Sequence, residues 1–154
     1  MLFRSLKIIA METIKQIHNF DRWAILILGM LALIFAIKGI AQKSQYGKTE
    51  DKISLFFMIF CDIQLLLGII LLYSSGYIDK IKSGMGEVMK NPIDRFYIVE
   101  HGFMMILAWV LVHVGRTAIK KSPLEKKHQK TLLFYGIALL IILISIPWSF
   151  RIHV

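Results

Sequence analysis

Four runs of apolar residues constrain this chain more than any other feature. Residues 23–37, "WAILILGMLALIFAI", hold no charge at all. Residues 53–73, "ISLFFMIFCDIQLLLGIILLY", are broken only by Asp62 and Gln64, and residues 97–115 and 132–148 are similarly greasy. With their flanks, each reaches the roughly 20 residues that cross about 30 Å of hydrocarbon at about 1.5 Å per residue. In lipid every backbone N–H and C=O must find its partner inside the protein, so such runs form helices. Apolar residues make up 56% of the 154, with a mean hydropathy of +0.63, above the roughly 45–50% usual for soluble domains. The sequence therefore predicts an all-α integral membrane protein: an antiparallel four-transmembrane-helix bundle, forming one domain over residues 1–154. An even number of spans places both termini on one side.

The polar segments fill in this frame. The opening "MLFRSLKIIAMETIKQIHNFDRW" has neither a long apolar core nor a small-residue cleavage site, so the first apolar run reads as a retained span and not a signal peptide. Met11 offers an alternative start, which makes residues 1–10 an optional extension. Between spans two and three, residues 74–96 predict a short interfacial helix with Met85, Val88 and Met89 on one side, ended by Pro92. Residues 42–52 and 116–131 read as polar loops. The formal charge is +9, but the basic residues flank apolar runs and no basic-aromatic strip is present. The expected partner is the lipid bilayer and not nucleic acid. The dense basic stretch 116–131 places that loop in the cytoplasm and the termini outside. Cys61, the one cysteine, excludes an internal disulfide and reads as a small core residue.

Ionisable residues inside lipid spans are costly, face the interior and often mark function. His18, Asp21, Arg22, Asp94, Arg95, Glu100, His101 and Arg151 all fall toward the termini side, from the ends of three spans. Two readings compete for them. Two neutral imidazoles on different helices, His18 and His101, can ligate one haem iron axially, with Arg22 and Arg95 pairing propionates and Glu100 orienting a ring through its N–H. The plainer reading is that these residues anchor helix ends at the headgroups, as Arg22 beside Trp23 ordinarily does. His113 lies too far along the helix from His101 to share an iron with it, and reads as a lone or snorkelling polar residue. Asp62, near the middle of its span, reads either as a proton relay or as a buried hydrogen-bonding group. Gln64 and Gly68 share a face suited to close packing. His128 and His153 read as solvated, and the methionines as core filling.

Taken in order, "IHNFDRW" (17–23), "DIQLLLGIILLY" (62–73), "GEVMKNPIDRFYIVEH" (86–101) and "IPWSF" (146–150) resemble a group of small bacterial four-helix membrane proteins labelled cytochrome b or cytochrome b561-like. The likeness covers nearly the whole chain from Met11. It implies an inner-membrane protein carrying b-type haem and transferring electrons, with membrane-complex subunits or quinone as possible redox partners. His18 and His101 match histidines of the pattern, and Arg22, Trp23, Gln64, Gly68, Arg95, Phe96, Glu100, Pro147 and Trp148 match as well. One departure stands out: where the second span of the group tends to carry a His, this chain has Asp62. The alternative expectation is a haem-free accessory or assembly subunit of a larger membrane complex. A small channel using Asp62 is a weaker third. The chain reads as a carrier or subunit more than as a stand-alone enzyme.

Overall fold

The computed structural model describes residues 2–148, so Arg151 and His153 lie outside the described residues. Helices are α1 (Leu2–Gln42), α2 (Lys48–Ser74), α3 (Tyr77–Ser83), α4 (Met85–Lys90), α5 (Pro92–Arg95), α6 (Gly102–Lys121) and α7 (Leu124–Ser145), with a π-helical turn over Phe96–His101 before α6. No strand occurs among the described residues. Four helical stretches are long and apolar enough to cross a membrane: Ser5–Gln42, Lys48–Ser74, Pro92–Lys121 and Leu124–Ser145. They pack in a ring, α1 on α2, α2 on α6, α6 on α7 and α7 on α1, so α1 and α6 sit on one diagonal.

The inward stripes follow the helical period. On α1 they are Asp21, Ile25, Gly29, Ala32, Ala36 and Gly39; on α7, His128, Thr131, Tyr135, Ala138, Ile142 and Ser145. Steps of three and four residues keep one face toward the axis. Much of that face is small. Lipid tails are as apolar as leucine, so helices in a bilayer associate by close packing, and small residues permit it. A Cβ on Gly115 would come within 2.6 Å of Phe134 Cβ, and one on Gly39 within 2.3 Å of the His128 ring. Many large apolar side chains point the other way: Ile27, Ile34, Leu66, Phe103 and Leu140 are all exposed on the outside, while Phe57, Ile119 and Leu139 pack inside. An apolar exterior over a partly polar interior suits lipid and would be untenable in water.

Two connections are far shorter than the sequence suggests. The basic stretch 116–131, expected as a loop, is helical apart from Ser122 and Pro123, and the first loop shrinks to 43–47. Lysine and glutamate are good helix formers, so charge ends the membrane span without ending the helix. What stops α6 is Ser122, whose hydroxyl donates to the Ala118 carbonyl at 2.8 Å, followed by Pro123. The single interfacial helix expected in 74–96 is three short ones. Gly76, at φ 77°, turns the chain out of α2 into α3. Pro92 follows the end of α4 and also opens α5, where Asn91 Oδ1 accepts from the Ile93 and Asp94 N–H groups at 3.0 and 3.1 Å. Val88 is buried while Met85 and Met89 stay exposed, so the expected three-residue face is split. At the other extreme α1 runs 41 residues, about 60 Å. Met11 lies level with the end of α2, its sulfur 4.0 Å from Ser75 Oγ, and residues 5–10 are exposed.

Because the imidazole of His128 occupies the space a Cβ would need, Gly39→Ala is expected to destabilise the bundle by about 1–3 kcal/mol, the usual cost of overpacking. Thermal unfolding in detergent of Gly39→Ala, His128→Ala and the double variant checks this: the double variant loses less than the sum of the two.

Candidate functional site

Pro147 is where the local sequence begins to build a site. Having no N–H, it cannot bond the carbonyl of Leu143 four residues back, and α7 stops at Ser145. The Leu143 carbonyl is instead met by the indole N–H of Trp148 at 3.1 Å. The Ser145 carbonyl, freed by the same ending, receives the ring of His101, with Nδ1 at 2.8 Å. A carbonyl only accepts, so Nδ1 carries the proton, and in the neutral ring Nε2 keeps its lone pair.

His101 reaches that carbonyl through the π turn. Its wider winding brings residues five apart onto one face, and two i,i+5 contacts follow. Phe96 and His101 have ring centroids 6.0 Å apart, and Arg95 Nε donates to Glu100 Oε1 at 2.9 Å. This corrects two expectations. Glu100, an exposed residue, pairs with Arg95 and not with an imidazole. Arg95 is held by Glu100 and, through Nη1, by the Met89 carbonyl at 3.5 Å. The group that orients His101 is the Ser145 carbonyl, which no residue type announces in a sequence.

His18 comes from α1, on the diagonal from α6, whose preceding π turn carries His101. Its Nδ1 lies 3.5 Å from the Gln64 side-chain amide, and its Nε2 lies 3.8 Å from where a Cβ on Gly68 would be. The amide can meet the ring in two senses. With the Gln64 amide Nε2–H donating to His18 Nδ1, the Gln64 oxygen is left without a partner, as it is here. Turned over, the oxygen accepts from Nδ1–H and the His18 Nε2 bears the free lone pair. Asp21 is buried at 5% exposure. Arg22 lies over Trp23 and Trp148, its guanidinium carbon 5.4 and 5.8 Å from their ring centroids. Asp21 Oδ2 and Arg22 Nε, like Gln64 Oε1, are buried without a protein partner. Asp94 is separate, tied to Lys80 at 2.6 Å. No group of three or more His, Cys, Asp or Glu suited to holding a metal occurs among the described residues. A bis-imidazole iron site takes only two side chains, and His18 and His101 are the imidazoles at this end of the bundle among the described residues.

Asp62 has a different address. Its Oδ1 accepts from the Trp109 indole at 2.7 Å and lies 3.2 Å from His113 Nε2. His113, expected to stand alone, is therefore the partner that makes an intramembrane carboxyl tolerable. The His113 Nδ1 lies 3.0 Å from the Trp109 carbonyl and so bears a proton.

A second polar group, at the opposite end of the bundle, was not legible in the sequence. Arg116, which looked like a loop residue, is 4% exposed. Its Nη1 donates to Asp51 Oδ1 at 2.6 Å and to Ser54 Oγ at 3.1 Å. The Ser54 and Tyr135 hydroxyls are 2.6 Å apart. His128, expected to be solvated, is 3% exposed beneath Tyr46, with ring centroids 5.2 Å apart. The signal for both was the i,i+3/i+4 continuation of the inward stripes past the charged boundary: Val112, Gly115, Arg116 and Ile119 on α6, His128, Thr131 and Tyr135 on α7.

Asp62→Ala strands the Trp109 N–H and the His113 ring together, at an expected cost of about 1–3 kcal/mol. Trp109→Phe in the Asp62→Ala background is expected to add little, as detergent melts of the single and double variants would show. No protein family, curated protein or solved structure matches this chain.

Proposed function

We propose that this protein is a b-type haem electron carrier of the bacterial inner membrane, with its termini on the periplasmic side. One observation carries the reading: the Nδ1 of His101 is 2.8 Å from the Ser145 carbonyl. A second hydrogen bond of this kind fixes the tautomer of a metal-ligating histidine and raises its basicity. It leaves Nε2 directed elsewhere with a lone pair. His18, on the diagonal helix, supplies the second imidazole once Gln64 accepts from its Nδ1. Bound between them, a haem iron would supply one-electron chemistry. The chain's part is to hold both rings, keep the protons on Nδ1 and exclude water with the surrounding apolar helices. Arg22 is the arginine left to meet a propionate, because Arg95 is taken up by Glu100. Placing the basic 116–131 end in the cytoplasm rests on its six Lys/Arg against one Glu.

A second reading, a haem-free subunit of a larger membrane complex, is favoured by the position of the Asp62–His113 pair. Their side chains remain 39% and 33% exposed in the outer groove between α2 and α6, where a neighbouring protein helix would shield them from lipid.

Purification from haem-replete cells separates the two. The first predicts a Soret band and reduced-minus-oxidised difference bands, abolished by His101→Ala and weakened or shifted by His18→Ala. A colourless wild-type protein, or bands indifferent to His101→Ala, overturns it; co-purification of a colourless protein with much larger membrane partners supports the second.

A further inference from the structure

At the end of the bundle away from His18 and His101, the turn between α1 and α2 and the first turns of α2 and α7 border an open, shallow cleft. Its volume is about 420 Å³, and it is lined by Tyr46, Gly47, Lys48, Asp51, Lys52 and Lys127. Half of that lining is lysine, and the nearby carboxylates are committed elsewhere. Asp51 receives the buried Arg116 at 2.6 Å. Glu50 turns back to cap the N–H of Gly47 at 3.0 Å. No carboxylate lies within ion-pair distance of Lys48, Lys52 or Lys127 among the described residues. Lys127 Nζ rests 5.6 Å from the Tyr46 ring centroid, which holds its ammonium at the cleft wall.

The wall itself is short of partners. Behind Tyr46 lies His128, both ring nitrogens buried and unpaired, and Arg116 Nε is in the same condition. The Asp51 carboxylate at the cleft wall is held by Arg116, and Lys120 and Lys127 add to the positive field around it. The excess is general on this face. Residues 38–52 and 116–130 hold ten Lys/Arg against three Asp/Glu.

We infer that this cleft binds the phosphate of an anionic phospholipid headgroup. The cleft sits where α2 and α7 begin, at the boundary between apolar span and polar turn, so the layer it opens into is the headgroup region. Several ammonium groups around a cleft of this size suit the spread oxygens of a phosphate diester, and a net positive face draws anionic lipid toward it. The site is remote from the two imidazoles, and its occupancy is independent of the proposed haem chemistry.

The test is thermal unfolding of the full chain in a neutral detergent. Three additions are compared: phosphatidylglycerol, phosphatidylcholine, and inorganic phosphate at matched phosphate concentration. A ligand that binds only the folded state raises the melting temperature. Phosphatidylglycerol is expected to raise it by about 4 °C, the scale that near-saturating binding gives for a chain of this size, and phosphatidylcholine by much less. Lys52→Gln with Lys127→Gln should abolish the rise. Lys121→Gln with Lys126→Gln, which removes equal charge from the same face outside the cleft, should keep it. Equal loss in both double variants would reduce the effect to diffuse surface charge and overturn the site. An equal rise with phosphatidylcholine would remove the need for an anionic headgroup. A rise with inorganic phosphate alone, lost in Lys52→Gln/Lys127→Gln, would make the ligand a soluble phosphate and overturn the lipid assignment.

Discussion

A hydrocarbon solvent offers no hydrogen bonds, and nearly every feature of this bundle answers to that fact. Many leucines, isoleucines and phenylalanines face outward because lipid is indifferent to them, while others such as Phe57, Ile119 and Leu139 fill the core. Polar side chains turn toward one another because nothing outside would satisfy them. Asp62 leans on Trp109 and His113, Arg116 on Asp51 and Ser54, and His101 on the end of α7. The interior is polar at its ends and combines close approach at residues such as Gly39 and Gly115 with a core of bulky apolar side chains that includes Phe57, Ile119 and Leu139.

Where the hydrogen-bonding rule is broken along the backbone, the candidate site appears. Pro147 removes one donor from the last turn of α7, and two freed carbonyls are then claimed, one by Trp148 and one by His101. The π turn at Phe96–His101 is the matching irregularity on the facing helix. π turns recur at functional sites because they re-aim side chains that an α-helix would direct elsewhere. Here the turn draws Arg95 and Glu100 into a pair on the exposed side and sets His101 against Ser145. The "VEH" and "IPW" elements of the sequence thus act as one construction, and the adjacency of Glu100 and His101 in the chain does not make them partners.

The two ends of the bundle divide their polar chemistry. The termini side gathers imidazoles, an arginine, a glutamine and a buried aspartate whose atoms are incompletely paired. The opposite side gathers one buried arginine network and an overlying field of lysines. Between them, the Asp62–His113 pair sits at mid-bundle, with Oδ1 3.2 Å from Nε2. Asp62 is thereby accounted for by its neighbours Trp109 and His113.

The number of long apolar helices and their helical state were set by the sequence. They follow from one-dimensional quantities: the length of an apolar run against the thickness of a bilayer, and the price of exposed backbone in lipid. Partnership was not readable in the same way. That Asp62 meets His113, that Arg116 and His128 are buried, and that a backbone carbonyl orients His101 depend on how four helices are rotated and staggered against one another. Helix boundaries misled for a related reason, because lysine-rich segments end a span without ending a helix. Periodicity fixes which face a residue occupies; only packing decides which atom stands opposite it.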